Sequence, residues 1–181
     1  MPSHIVRTAK KTGARWVAFT YNDPVIFLEY AVDVATACRD AGIRSVAVTA
    51  GYIMQKPREE FFALMDAANV DLKAFTERFY RKLCTAKLAP VLETLEYIKH
   101  ETGVWPEITT LLIPDHNDSI KEITALSEWI MNKLGPDVPL NFSAFHPDWK
   151  MRNVSPTPAV NGQINCDGDG IVLRVRWKCA R

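Results

Sequence analysis

The 181-residue sequence predicts an α/β fold, a partial (β/α) barrel of about five parallel strands. Three observations carry that prediction. Short aromatic and β-branched runs alternate with segments whose apolar residues recur at three- and four-residue steps. The runs begin at 16, 45, 69, 107 and 140, spacings that fit a strand plus the crossover helix a parallel neighbour requires. Pro, Asx and Ser stand where helices should start, and Gly where they should stop.

Taken in order, PSHIVRTAKKTG (2–13) reads as a helix preceding the first strand, and WVAFTY (16–21) as a buried strand. Asn22-Asp23 and then Pro24 open a helix whose inward face is Phe27, Leu28, Ala31, Val34, Ala35 and Cys38, with Gly42 as its left-handed cap. SVAVTAG (45–51) is the second strand. PREEFFALMDAA (57–68) is a helix with Phe61, Leu64, Met65 and Ala68 inward, and NVDLKAF (69–75) is the third strand. LAPVLETLEYIKHETG (88–103) is a helix and EITTLLIP (107–114) the fourth strand. Ser119 and Glu122 form a capping box for a helix with Ile123, Leu126, Ile130 and Leu134 as its stripe, ended by Gly135. LNFSAFHP (140–147) is the fifth strand. Residues 1–150 thus form the barrel portion and 151–181 an irregular tail, rich in Pro, Gly, Asn and Asp before a possible edge strand, IVLRVRWK (171–178).

Composition excludes several functions. Lys plus Arg number 22 against 21 for Asp plus Glu, so a net charge of +1 leaves no electrostatic footprint for nucleic acid or an anionic membrane. No apolar run is long enough for a spanning helix, and MPSHIVRTAKK lacks the apolar core of a signal segment. Cys38, Cys84, Cys166 and Cys179 form no CxxC or CxxxC pair, which argues against a zinc knuckle or a disulfide framework and for a reducing cytoplasm. Cys38 and Cys84 fall on helical apolar faces and read as inert core thiols. Asn165 to Ile171 looks like the start of a calcium loop, but its twelfth position is Arg176 rather than Glu.

In a (β/α) barrel the chemistry sits at the C-terminal ends of the strands. Those ends carry Asn22 and Asp23, Thr49, Asp71 and Lys73, Asp115, and His146. Asp23 is either a helix cap or a ligand contact. Thr49 alone reads as a β-branched strand former. Asp71 and Lys73 lie two apart on one side of an apolar strand, where charges need partners: each other, a neighbouring strand or a ligand. His146 alone reads as a satisfied core histidine, and Asn117-Asp118-Ser119 as helix capping. Lys73 at a strand end also permits a Schiff-base lyase.

The segments FTYNDPVIFLEYA, VTAGY, DAANVDLKAFTERFYRKL, EITTLLIP followed by NDS, and LGPDVPLNFSAFHPDWKM resemble the radical S-adenosylmethionine (SAM) enzyme of the AmmeMemoRadiSam system, a branch related to the pyruvate formate-lyase-activating enzymes. The resemblance runs in order from about Pro2 to Met151. It implies a partial barrel of the radical SAM type, in which a 4Fe-4S cluster held by a CxxxCxxC loop cleaves SAM reductively to a 5′-deoxyadenosyl radical. Tyr21-Asn22-Asp23-Pro24 stands where the activases carry a Gly-Gly-Glu-Pro segment that receives the SAM amino group. Asp71 and Lys73 match residues near the SAM carboxylate and ribose, Thr49 lies in the VTAG segment beside them, and His146 matches a ligand-side histidine. The resemblance names no catalytic residue and no metal ligand in this sequence. It implies SAM as partner and leaves a protein among the candidate substrates.

Three departures qualify it. The CxxxCxxC loop is absent, so the cluster is not expected to bind this chain, and the chain alone is expected to be inactive. Asn141 stands where the family has His, and Asp115 where it has Gly. From about Ala159 the resemblance ends. A non-catalytic SAM-binding or partner-docking scaffold and the Lys73 lyase therefore stay open beside the radical enzyme.

Overall fold

The computed structural model describes residues 1–158. The expected edge strand at 171–178, the calcium-like turn and Cys166 and Cys179 lie outside the described residues. Five strands form one sheet in the order β1 (Trp16–Phe19), β2 (Arg44–Thr49), β3 (Ala67–Asp71), β4 (Trp105–Leu112) and β5 (Leu140–Ala144). The registers of β1 on β2, β2 on β3 and β4 on β5 are parallel, with Trp16 opposite Arg44, Thr49 opposite Val70, and Leu112 opposite Ala144. The helices are α1 (Pro2–Thr12), α2 (Leu28–Asp40), α3 (Gln55–Phe62), α4 (Glu77–Phe79), α5 (Ala89–Glu101) and α6 (Ile120–Lys133). This is the α/β class and strand number that the sequence predicts.

The chain divides into two compact units, Met1–Asp71 with Ala89–Glu107, and Leu72–Leu88 with Ile108 onward. In the first, α1 ends on Gly13 at φ 70°, and Gly42 at φ 72° closes α2 while Ile43 N–H reaches back to the Cys38 carbonyl. The buried face of α2 is Ala31, Val34, Ala35 and Cys38, as the periodicity requires, but Phe27, in the preceding 3-10 turn, and Leu28, at the helix start, are only partly buried. Phe61, Phe62 and Met65 are buried, but Leu64 only partly. The first strand differs from expectation. Only Phe19 is buried and Trp16 is exposed, because among the described residues β1 has a strand neighbour, β2, on one side. The exposed Trp16 ring is instead covered by the Arg44 guanidinium, 4.9 Å from its centroid.

In the second unit, α6 buries Ile123, Leu126 and Ile130, and Leu134 and Gly135 both donate to the Ile130 carbonyl at its end. The predicted third strand is shifted. It runs from Ala67 to Asp71, so Lys73 lies beyond it, although the alternation persists with Leu72 and Ala74 buried. After α4 comes a segment unforeseen in the sequence, a π-helical turn over Tyr80–Cys84 that ends on Thr85 at φ 52°.

Gly51 closes β2 at φ 68°, and a Cβ there would stand 2.9 Å from a Val70 methyl carbon. Both the left-handed backbone and the approach of β3 therefore demand glycine. Gly51→Ala is expected to cost about 1–2 kcal/mol from the backbone alone, read as a lower urea midpoint.

Candidate functional site

In the first unit the chain leaves β1 through Tyr21, whose φ of 71° is strained for a residue with a Cβ, and through the exposed Asn22. Asp23 then caps a 3-10 turn, Pro24–Phe27, which leads into α2. Its Oδ1 accepts the Val25 N–H at 3.1 Å and the Thr49 hydroxyl at 2.8 Å, and its Oδ2 accepts the Ala50 N–H at 2.8 Å. The Thr49 hydroxyl in turn accepts from Gly51 N–H at 3.1 Å. Cap and cross-strand clip are thus one carboxylate. A carboxylate has about four acceptor positions, and the described residues fill three of these, which leaves one on Oδ2. Thr49 is buried, and the plain strand-former reading understates it, because its hydroxyl ties the loop after β1 to the end of β2. Asp71 ends β3 one residue past Val70, the partner of Thr49, and is half-buried.

The second unit presents Lys73 on a segment held by side chains. The Leu72 carbonyl accepts the Thr110 hydroxyl at 2.8 Å, and the Lys73 N–H donates to the Tyr80 hydroxyl at 3.1 Å. The Lys73 carbonyl accepts Asn117 Nδ2 at 2.7 Å, and the Phe75 N–H donates to Glu122 Oε1 at 2.7 Å. Glu122 therefore supplies only half of the predicted capping box. Its backbone N–H donates to the Ser119 hydroxyl, while its carboxylate goes to Phe75. Asn117 is buried and also binds the Leu111 carbonyl at 2.9 Å and the Ile113 N–H at 2.7 Å. Sequence reasoning missed it by assigning NDS wholly to capping. The one available signal was an Asn three residues past an apolar strand, ahead of a Ser already sufficient as cap.

Two further corrections concern single residues. Asp71 and Lys73 are half-buried rather than buried, so the desolvation cost that argued for a paired site is smaller than the apolar sequence suggested. Cys84 is exposed at the end of the π turn, not on a core face, whereas Cys38 is buried as expected. Asp115, in place of glycine, sits at φ 63°, and its N–H donates to Asp118 Oδ1 at 2.9 Å. Aspartate tolerates that backbone better than most residues with a Cβ. Asn141 reaches the Ile108 carbonyl only at 3.4 Å. His146 is exposed two residues past β5, beside Phe145, whose backbone is fastened on both sides by Thr157. The structure thus brings Asp23 and Thr49 into direct contact and leaves Asn22 and His146 on exposed loops.

Among the described residues no group of three His, Cys, Asp or Glu side chains converges as a metal site. With Cys38 buried in a helix face and Cys84 exposed on a separate turn, these residues do not fit a 4Fe-4S cluster. In the first unit the remaining acceptor position on Asp23 is of the kind an ammonium group requires. No helix among the described residues is long and apolar enough to cross a membrane.

No family model matches the chain. A protein of Methanocaldococcus jannaschii is 37% identical over 157 residues, covering 87% of this chain and 46% of its own length, so the chain spans about half of that relative. A domain of pyruvate-formate lyase-activating enzyme from Bacteroides vulgatus superposes with a TM-score of 0.68 at 18% identity, over 80% of this chain and 86% of that one. Streptococcus suis SuiB bound to S-adenosylmethionine gives 0.67 at 15%, over 84% and 35%. The same protein bound to its precursor peptide SuiA gives 0.63 at 16%, over 77% and 31%. A radical SAM methyltransferase from Sphaerobacter thermophilus gives 0.61 at 15%, over 81% and 47%. What the solved structures share with this chain is the fold, a partial barrel used by radical SAM proteins.

Two measurements check the geometry. Asp23→Ala is expected to destabilise the protein by about 2 kcal/mol, losing a cap and a clip together, with a smaller loss for Asp23→Asn, whose amide oxygen still accepts. Urea unfolding reads both. Although the residue is exposed, partial shielding of the Cys84 thiol from water raises its pKa, while the Lys73 ammonium lowers it. At about pH 8.5 iodoacetamide should therefore modify Cys84 more slowly than a free thiol, and Lys73→Met should slow it further by removing the stabilising cation. Site-resolved mass spectrometry measures this.

Proposed function

We propose that this chain is the SAM-binding portion of a radical SAM enzyme akin to that of the AmmeMemoRadiSam system. The observation that carries the reading is positional. Asp23, Thr49, Asp71, Lys73 and His146 all lie at or just past the C-terminal ends of strands, in a fold that SuiB uses while binding SAM. Within the first unit, Asn22 and the free acceptor position of Asp23 suit the SAM ammonium group, with Thr49 holding Asp23 in place and Asp71 at the neighbouring strand end. Within the second, Lys73 suits the carboxylate or ribose, and His146 offers a further polar contact. In the family the bound cluster supplies the electron for reductive SAM cleavage.

A protein or peptide substrate is in keeping with SuiB, which binds a precursor peptide.

Equilibrium dialysis of the purified chain against radiolabelled SAM tests the proposal. Saturable binding of one equivalent is expected, weakened about tenfold by Asp71→Ala, which corresponds to about 1.4 kcal/mol. A folded chain that shows no saturable binding overturns it. Borohydride trapping of a carbonyl compound on Lys73 would point instead to the lyase.

A further inference from the structure

Past the end of β3 the segment Leu72–Phe75 has left the strand, yet Leu72 and Ala74 remain buried. Its polar backbone groups must be paired, because an orphaned amide or carbonyl in such surroundings costs as much as a broken hydrogen bond. Four side chains do this: Thr110, Tyr80, Asn117 and Glu122, at 2.7 to 3.1 Å. Three of them bear on the two peptide groups that flank the Lys73 side chain, and Asn117 is the one placed to set it. Its amide nitrogen joins the carbonyls of Lys73 and Leu111, and its oxygen takes the Ile113 N–H, so a single planar group fixes the lysine backbone to the end of β4. The residue is 3% exposed, so an unpaired amide there would also be cut off from water. The Tyr80 hydroxyl holds the other side of the same residue, from the start of the π turn.

We infer that Asn117 is a positioning residue for Lys73, with Tyr80 as its counterpart, and that the two fix the direction in which the lysine meets an anionic group of the ligand. This rests on the assignment of Lys73 to SAM binding. It goes beyond that assignment in naming what makes the lysine competent. Fixing the backbone sets the point from which the four-carbon stem starts, and with it the anion positions that the ammonium can reach.

The test compares Asn117→Ala and the milder Tyr80→Phe with Ser127→Ala, which removes a hydroxyl buried in α6 of the same unit but remote from Leu72–Phe75 in hydrogen bonding. Two quantities are read: SAM affinity by dialysis, and the rate at which Lys73 reacts with an amine-reactive ester, normalised to Lys99 in the same sample. Asn117→Ala is expected to weaken SAM binding at least tenfold and Tyr80→Phe about threefold, with Ser127→Ala within twofold of the wild type. Both positioning variants should also change the normalised Lys73 rate more than twofold, and Ser127→Ala should not. Equal losses of affinity in all three variants would reduce Asn117 to a structural role and overturn the inference. So would an unchanged Lys73 rate in Asn117→Ala and Tyr80→Phe. If the wild type binds no SAM, the functional reading fails by itself, and the labelling rates still decide whether Asn117 positions Lys73.

Discussion

A parallel strand that ends inside a protein leaves its next peptide groups without ladder partners, and in this molecule side chains take over from the ladder at that point. The segment after β3 is the fullest case. Hydroxyl, amide, phenol and carboxylate groups from Thr110, Asn117, Tyr80 and Glu122 replace the hydrogen bonds a longer strand would have supplied. The ladder stops here while the backbone beyond it remains fixed by side chains from other elements. The same replacement is made after β1, where one carboxylate caps the turn into α2 and clips the end of β2.

These substitutions explain which parts of the molecule were legible in the sequence. The apolar stripes of α2 and α6 follow from local periodicity alone, and Ala31, Val34, Ala35, Cys38, Ile123, Leu126 and Ile130 are buried as that periodicity requires. Gly42 and Gly135 mark their ends because a left-handed backbone is a local demand. The end of β3 is not local. Leu72 and Ala74 keep the alternation of a strand, so composition carries no mark of where pairing stops. Likewise, Glu122 satisfies a capping pattern with its neighbours, and only the fold shows that its carboxylate serves Phe75, 47 residues away. Cys84 failed for a related reason: TERFYRKLC has helical composition, but a π turn shifts the register and puts the thiol outside.

At the candidate site the residue types were legible and their division of labour was not. Asp23 was open between cap and ligand contact, and the structure shows why the alternatives do not exclude each other. Three acceptor positions are filled by Val25, Thr49 and Ala50, and this fixes the direction of the one that remains. A carboxylate held in this way would lose little conformational freedom on receiving an ammonium group, so cap and ligand contact are compatible roles for one side chain. Thr49 shows the converse. Its apolar strand setting disguised a hydroxyl that both donates and accepts.

The contrast between the two cofactor demands follows from the same physics. SAM is recognised through a zwitterion and a nucleoside, groups that dispersed strand-end side chains can meet one at a time provided each is held rigidly. An iron–sulfur cluster needs several thiolates brought to one point, typically by a short loop, because the ligand bonds fix both distance and direction. Held side chains are what Asp23 and Thr49 provide at the ends of β1 and β2, and the described residues bring no thiolate set to one point. The two demands are therefore separable in principle: side chains held one at a time can meet a zwitterion, whereas a cluster requires convergence.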